Sequence, residues 1–226
     1  MSLRSRPLLP AIELESPRGV PVDATIIWLH GLGADGNDFA PIVPQLKLPK
    51  EFGIRFIFPH APEIPVTINN GYVMPAWYDI KLMDIDRHVD QEQLMQSARW
   101  VHDFIDREIQ RGIASERIIV AGFSQGGAVA FEAGLTYPQT LGGIMALSTY
   151  FATANSIKIN PVQNSLPVLI CHGTHDSVVP EALGLKGFAE LQNLGFFPDY
   201  ISYPMEHSVC PREIVDIGEW ITHTLT

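Results

Sequence analysis

Residues 117–128 read RIIVAGFSQGGA, and the middle of this stretch places Ser124 between Gly122 and Gly126. The β-branched run favours a buried strand, and the residues after Ser124 are compatible with a helix. Glycine tolerates positive φ and allows other backbone to come close, so the cluster predicts a turn too tight for ordinary side chains. The Gly-x-Ser-x-Gly spacing at a strand-to-helix junction is the pattern of a nucleophile elbow, which exposes a serine hydroxyl above a sheet. Ser124 is therefore the candidate nucleophile; the alternative is a glycine-rich turn without chemistry.

The segments on either side of this junction alternate between short apolar runs and longer runs of helical period. Strands are predicted at 24–30, 54–59, 117–123, 142–148, 167–173 and 199–204. Helices are predicted at about 90–112, 125–137, 181–194 and 211–225. This alternation is typical of an α/β fold with a mostly parallel central sheet and helices on both faces. No linker or repeat interrupts the chain, so we expect a single domain over residues 1–226 without a separate cap domain, in which residues 1–21 form an N-terminal extension or an edge strand.

The overall composition limits the classes of partner and the compartment. The 226 residues carry a formal net charge of −10, and lysine and arginine are nowhere clustered. Nucleic acids and anionic membrane surfaces require clustered positive charge, so we expect neither nucleic-acid binding nor stable membrane association. Two cysteines in a chain of this length are too few for a disulfide framework and fit a reducing compartment. Since the N-terminus also lacks a secretory apolar segment, these features predict a cytoplasmic protein.

A serine hydroxyl needs a base that removes its proton, and histidine is the usual one. In chains with a nucleophile elbow, the acid and then the histidine follow the serine. His172 belongs to a predicted strand, and His223 lies in the predicted C-terminal helix. His207 instead follows the last predicted strand, at the carboxyl edge where ligand sites of open α/β sheets lie. We therefore expect His207 to be the base; the alternative is an ordinary solvated loop histidine.

The imidazole in turn needs a carboxylate that holds its tautomer and stabilises its charged form. Asp176 lies in the loop after the strand predicted at 167–173, at the same edge of the sheet. The other carboxylates between Ser124 and His207 lie on predicted helices, at the opposite edge or directly beside the histidine: Glu132, Glu181, Glu190, Asp199 and Glu206. Asp176 is therefore the expected acid, and the neighbouring His175 is expected at the surface or behind the catalytic residues.

Acyl transfer also needs hydrogen-bond donors for the oxyanion that forms on the reacting carbonyl. One donor is expected from the backbone N–H of Gln125, which follows the serine and begins a helix. The second should come from a loop after an early strand, and WLHGLGADGNDF (28–39) occupies that place. Leu32, flanked by glycines in this loop, is the predicted second donor. By itself, His-Gly-Leu-Gly is equally compatible with a plain turn.

The longest segment without clear periodicity, residues 60–88, is rich in proline and apolar residues. Loops of this length in a compact domain are commonly functional. Its apolar side chains are predicted to form a wall for an acyl chain, with Val73, Met74 and Trp77 as the substrate-binding residues. The alternative is that this cluster packs in the core. Because no cap domain encloses the site, we expect a groove that favours short to medium acyl chains.

A metal centre at His172, His175 and Asp176 is not expected, because neither an HExxH helix nor a pair of clustered cysteines accompanies them. Serine chemistry at the site described above needs no ion. The sequence therefore predicts no metal and no cofactor.

Five stretches carry a resemblance to a known family: WLHGLGADGNDF (28–39), PVTINNGYVMPAWYDI (65–80), GFSQGG (122–127), LICHGTHDSVVP (169–180) and YPMEHSVCP (203–211). Together they resemble the carboxylesterase and acyl-protein thioesterase family of α/β-hydrolases, and they are most similar to its bacterial carboxylesterase branch. The resemblance runs from about residue 22 to the C-terminus. It implies a triad of Ser124, Asp176 and His207 with Leu32 and Gln125 as oxyanion donors, the same residues reached above from chain order.

The resemblance further implies cytosolic hydrolysis of esters or thioesters without a cofactor, often by a homodimer. The expected activity is that of a serine hydrolase that forms an acyl-enzyme on a small ester or an acylated substrate, as a carboxylesterase, an acyl-protein thioesterase or a lysophospholipase. Two alternatives stay open: a catalytically silent hydrolase fold that binds acyl or lactone ligands, and a lactone hydrolase on the same scaffold. Dienelactone hydrolases, which share the fold, have cysteine in place of Ser124.

Overall fold

The computed structural model describes residues 7–16, 19–82 and 88–226. The strands are β1 (Ala11–Ser16), β2 (Ala24–Leu29), β3 (Ile54–Pro59), β4 (Glu63–Val66), β5 (Tyr72–Pro75), β6 (Ile80–Leu82), β7 (His88–Val89), β8 (Ile118–Phe123), β9 (Gly143–Leu147), β10 (Val168–Gly173) and β11 (Asp199–Tyr203). The α-helices are α1 (Gln91–Gln110), α2 (Gln125–Thr136), α3 (Glu181–Asn193) and α4 (Pro211–Thr224). Every strand and helix predicted from periodicity is present, with ends that differ by at most a few residues.

A seven-stranded sheet in the order β1-β3-β2-β8-β9-β10-β11 forms the centre of the molecule. All neighbouring strands in it are parallel except β1, which pairs antiparallel with β3 at the edge, with Ala11 opposite Pro59. The mostly parallel sheet expected from the sequence is therefore confirmed. The N-terminal segment contributes its edge strand, whereas residues 1–6 and 17–18 of the predicted extension lie outside the described residues.

Both faces of the sheet are covered because successive strand residues point to opposite sides. In β2, Ile27 and Leu29 pack on the face that carries α1, α2 and α3. Ile26 and Trp28 pack on the other face, against α4 and a 3₁₀ segment at Ala40–Leu46. All four side chains are at most 1% exposed. The carboxyl ends of the parallel strands are consequently left as the open edge at which loops can gather.

The segment 60–88, which lacked a clear period, forms two small hairpins, β4–β5 and β6–β7. Their strands are too short for alternation to be visible in the sequence. Positive φ angles of 56° at Asn70 and 74° at Gly71 turn the chain between β4 and β5, a conformation that asparagine and glycine tolerate best. Residues 83–87, between β6 and β7, lie outside the described residues.

Candidate active site

Ser124 stands alone between the end of β8 and the start of α2. Its backbone has φ 53° and ψ −119°, a strained conformation for a residue with a side chain. Two hydrogen bonds hold this turn in place: the Ser124 N–H donates to the Leu147 carbonyl at 2.8 Å, and Thr149 Oγ1 donates to the Ser124 carbonyl. The sharp strand-to-helix turn predicted for Ser124 is therefore present.

Gly122 and Gly126 are needed because other backbone atoms come close to their Cα atoms. The positive φ of this turn, in contrast, occurs at Ser124 itself. A Cβ on Gly122 would lie 2.2 Å from the Gly126 carbonyl oxygen, within the turn. A Cβ on Gly126 would lie 2.6 Å from the carbonyl oxygen of His30, which belongs to the loop after β2. The glycine pattern of the motif thus brings α2 against that loop.

The structure brings Ser124, Asp176 and His207 within hydrogen-bonding distance, each in a loop after a parallel strand. His207 Nε2 lies 3.0 Å from Ser124 Oγ, and His207 Nδ1 lies 2.6 Å from Asp176 Oδ2. The Asp176 carboxylate accepts a hydrogen bond from Nδ1–H, so the proton of the neutral ring is on Nδ1. Nε2 is therefore free of a proton and can accept a hydrogen bond from the serine hydroxyl. In this arrangement, the imidazole of His207 can take the proton from the Ser124 hydroxyl.

The Asp176 carboxylate is held by its own loop. Its Oδ1 accepts hydrogen bonds from the backbone N–H groups of Val178 at 2.9 Å and Val179 at 2.8 Å, while the side chain is buried. These donors stabilise the charged carboxylate and aim Oδ2 at His207.

Another histidine, His172, hydrogen-bonds to the loop that carries Asp176, although no sequence motif predicted this contact. Its Nε2 donates to the Val179 carbonyl at 2.8 Å and lies 3.7 Å from Asp176 Oδ2. Burial lowers the pKa of His172, which favours the neutral ring. His175, expected at the surface, is exposed.

The loop after β2, which carries Leu32, is fixed by the buried ring of His30. The His30 Nε2 accepts from the Ala61 N–H at 3.1 Å, so the proton is on Nδ1, which donates to the Gly31 carbonyl at 2.7 Å. Burial lowers the pKa of His30 and thereby favours this neutral form. Leu32 and Gln125, the two predicted oxyanion donors, line the same cavity as Ser124.

Gln125 also uses its side chain, which the sequence-based prediction did not consider. Its Oε1 accepts from the Trp77 N–H at 2.7 Å, and its Nε2 donates to the Tyr78 carbonyl at 2.7 Å. The residue is 1% exposed. The first residue of α2 is therefore bonded to the chain segment between β5 and β6.

A cavity of about 230 Å³ opens beside Ser124. Its lining includes Asp38, Gln125 and His207 together with the serine, and the remaining lining is glycine, aliphatic or aromatic: Gly31, Leu32, Ala34, Ile68, Ile80, Phe123, Tyr150 and Val178. The position next to the serine hydroxyl and the apolar walls fit an acyl group bound to the nucleophile.

None of Val73, Met74 and Trp77, the predicted acyl wall, is among the described residues that line this cavity. Trp77 is 1% exposed, and its Nε1 donates to the His30 carbonyl at 2.9 Å, so it is a core residue under the loop after β2. Val73, on β5, is 54% exposed. From the same segment, Ile68 and Ile80 line the cavity instead. The alternative of core packing thus holds for Trp77.

Two further properties of the described part of the chain concern metals and membranes. Within residues 7–16, 19–82 and 88–226, no three His, Cys, Asp or Glu side chains are arranged to hold a metal ion. None of the helices in those ranges is long and apolar enough to span a bilayer.

The chain is similar to a known protein family and to several of its members. The profile of a family described as Phospholipase/Carboxylesterase matches residues 11–225. The acyl-protein thioesterase 1 of Gibberella zeae is 37% identical over 213 residues, 89% of this chain and 91% of that protein. The acyl-protein thioesterase 1 of Neurospora crassa is 36% identical over 237 residues, 99% of this chain and 94% of that protein. The crystal structure of acyl-protein thioesterase 2 from Zea mays superposes with a TM-score of 0.83 at 28% identity, covering 96% of this chain and 100% of the maize chain.

Proposed function

This chain belongs to the phospholipase/carboxylesterase family of α/β-hydrolases, and on that premise we propose that it cleaves carboxylic esters or thioesters through an acyl-enzyme on Ser124. The observation that carries the proposal is the chain of contacts from Asp176 through His207 to Ser124, with distances of 2.6 Å and 3.0 Å. Membership of the bacterial carboxylesterase branch stays a prediction.

In the proposed reaction, Ser124 Oγ attacks the acyl carbon while His207 Nε2 takes the hydroxyl proton. Asp176 stabilises the imidazolium that forms. The negative charge that develops on the carbonyl oxygen is stabilised by hydrogen bonds from the backbone N–H groups of Leu32 and Gln125. The tetrahedral intermediate then collapses: the bond to the leaving alcohol or thiol breaks, and His207 returns the proton to it. Water activated by the same imidazole hydrolyses the acyl-enzyme and regenerates the serine.

The cavity supports a preference for short to medium acyl chains. Its volume of about 230 Å³ lies below the range of about 300–1,000 Å³ that is typical of pockets for drug-sized ligands. Leu32, Ile68 and Ile80 supply apolar surface to a methylene chain, and each buried methylene contributes about 0.8 kcal/mol. The specificity constant is therefore expected to rise with chain length until the cavity is full.

The test is covalent labelling by a fluorophosphonate together with hydrolysis of matched esters and thioesters. Wild type should be labelled at one serine, and Ser124→Ala should lose both the label and about 10⁴-fold or more of kcat. Ser208→Ala, an exposed serine next to His207, serves as the control and should behave like wild type. Ordinary turnover by Ser124→Ala would refute the proposed nucleophile. A folded wild type that is neither labelled nor active would favour the catalytically silent alternative.

The expectations of a homodimer, a cytoplasmic location, no cofactor and no nucleic-acid partner stay predictions that rest on the resemblance and the composition. Sedimentation velocity at micromolar concentration tests the first of them. A single monomeric boundary would contradict the homodimer.

A further inference from the structure

Residues 75–78, here called the brace, link the two parts of the chain that carry the proposed oxyanion donors. On the side of Leu32, the Gly33 N–H donates to the Pro75 carbonyl at 2.8 Å, and Trp77 Nε1 donates to the His30 carbonyl at 2.9 Å. The backbone on both sides of Leu32 is thus bonded to the brace.

On the side of α2, the side chain of Gln125 makes the contact with the brace. Its amide accepts from the Trp77 N–H and donates to the Tyr78 carbonyl, both at 2.7 Å. Because Gln125 is 1% exposed, water does not compete for these two bonds.

The brace is itself anchored in the core. Ser97 Oγ of α1 donates to the Trp77 carbonyl, and the Ala76 N–H donates to the Pro62 carbonyl at 3.0 Å. Trp77 and Ala76 are at most 1% exposed. A segment held in this way can transmit a defined position from one loop to the other.

We propose that the Gln125 side chain is a positioning residue: through the brace it sets the separation between the Leu32 and Gln125 N–H groups. This inference rests on the proposed function, because an oxyanion site matters only if acyl transfer occurs. Preorganised donors are effective only at the right distance from the developing charge, and a displacement of about 1 Å can cost about 100-fold in rate. Gln125 thus contributes a backbone donor and also the means of aligning the second donor.

The chemistry of the side chain explains why an amide occupies this position. The brace offers one donor, the Trp77 N–H, and one acceptor, the Tyr78 carbonyl, and a primary amide satisfies both with one planar group. A glutamate would satisfy the donor but present an acceptor to the Tyr78 carbonyl. Methionine has a similar length and makes neither bond.

The experiment compares Gln125→Met with Gln163→Met as a matched control. Gln163 is also fully buried and bonds to backbone: its Nε2 donates to the Tyr137 carbonyl at 2.9 Å and its Oε1 accepts from the Leu141 N–H at 3.3 Å, but it lines no part of the cavity. Both variants are expected to lower the thermal midpoint. Only Gln125→Met is expected to lower kcat, by about 10- to 100-fold with KM changed less than about threefold, since removal of a whole donor costs about 10²–10³.

A trifluoromethyl ketone provides a readout that loss of stability alone would not change, because its adduct with the serine carries an oxyanion. Its inhibition constant should rise in Gln125→Met in parallel with the loss in kcat/KM and stay unchanged in Gln163→Met. Equal effects of the two variants on kcat would overturn the proposal, and so would a rise in KM at unchanged kcat.

If Gln125→Met does not fold, Trp77→Phe tests the other end of the brace, since it removes the indole N–H that bonds to His30. A drop in kcat of about threefold or more, with KM retained, is expected; an unchanged kcat in folded Trp77→Phe would overturn the proposal. Failure of the proposed function is distinguishable, because wild type would then show neither labelling nor turnover.

Discussion

Glu213, on the first turn of α4, is a buried carboxyl group whose charge state should control stability. Its side chain is 0% exposed, and neither carboxylate oxygen has a hydrogen-bond partner within the part of the chain that the structure describes. Burial raises the pKa of Glu213 from 4.5 to about 8. The backbone of Cys210 is close enough to lower the pKa of Glu213, although it does not reach hydrogen-bond geometry. The negative charge of Asp216 raises the pKa further.

The sign of the effect follows from the two pKa values. Between pH 4.5 and 8 the folded protein keeps the Glu213 proton, whereas the unfolded chain has released it. Unfolding therefore releases a proton, and the free energy of unfolding falls by about 1.4 kcal/mol per pH unit across this window. Over the whole window the loss amounts to at most about 5 kcal/mol, a large part of the stability of an ordinary domain.

Glu213→Gln removes this ionisable group while it keeps the shape of the side chain. Urea unfolding of wild type and variant should give free energies within about 1 kcal/mol of each other at pH 5. At pH 8 the variant should be more stable by about 2–5 kcal/mol. Glu219→Gln, an exposed glutamate of the same helix, is the control and should change neither value by more than about 0.5 kcal/mol. An advantage of Glu213→Gln that is equal at the two pH values, or absent at pH 8, would show that ionisation of Glu213 does not control the stability.

Three further predictions concern the site. Asp176→Asn should keep the fold and the bonds from the Val178 and Val179 N–H groups but lower kcat by about 10⁴-fold through the wrong imidazole tautomer; a loss below tenfold, with an unchanged circular dichroism spectrum, would contradict the assigned acid. Ile80→Phe should shift the preferred nitrophenyl ester toward shorter acyl chains, because Ile80 lines the cavity. Val73, which is not among the lining residues, serves as the control, and the same shift in Val73→Ala would contradict the cavity described here. Asp38 is the one carboxylate among the described lining residues. Asp38→Asn should therefore raise kcat/KM for an ester with an anionic leaving group by up to about fivefold, relative to an ester with a neutral one. This increase should be smaller at high salt.

The strands, the helices and the order of the site residues along the chain could be predicted from the sequence. β8, Ser124 and α2 are consecutive in the chain, so a local pattern of β-branched residues and glycines sufficed to predict the turn. Asp176 and His207 followed from one topological rule, because loops after parallel strands meet at one edge of the sheet. The distances of 2.6 Å and 3.0 Å that join them are consequences of strand order, which periodicity does not contain.

Which apolar and polar side chains face the cavity and which face the core could not be predicted without the folded structure. Trp77 and Ile80 belong to the same segment, yet the first is bonded beneath the loop after β2 and the second lines the cavity. The hydrophobicity of a residue predicts that its side chain is buried, but it does not predict which other groups bury it. Likewise, the bonds of the Gln125 amide to Trp77 and Tyr78 join residues nearly 50 positions apart, and the environment of Glu213 is set by whole layers of the fold. Such contacts depend on non-local packing, and therefore only the folded chain determines them.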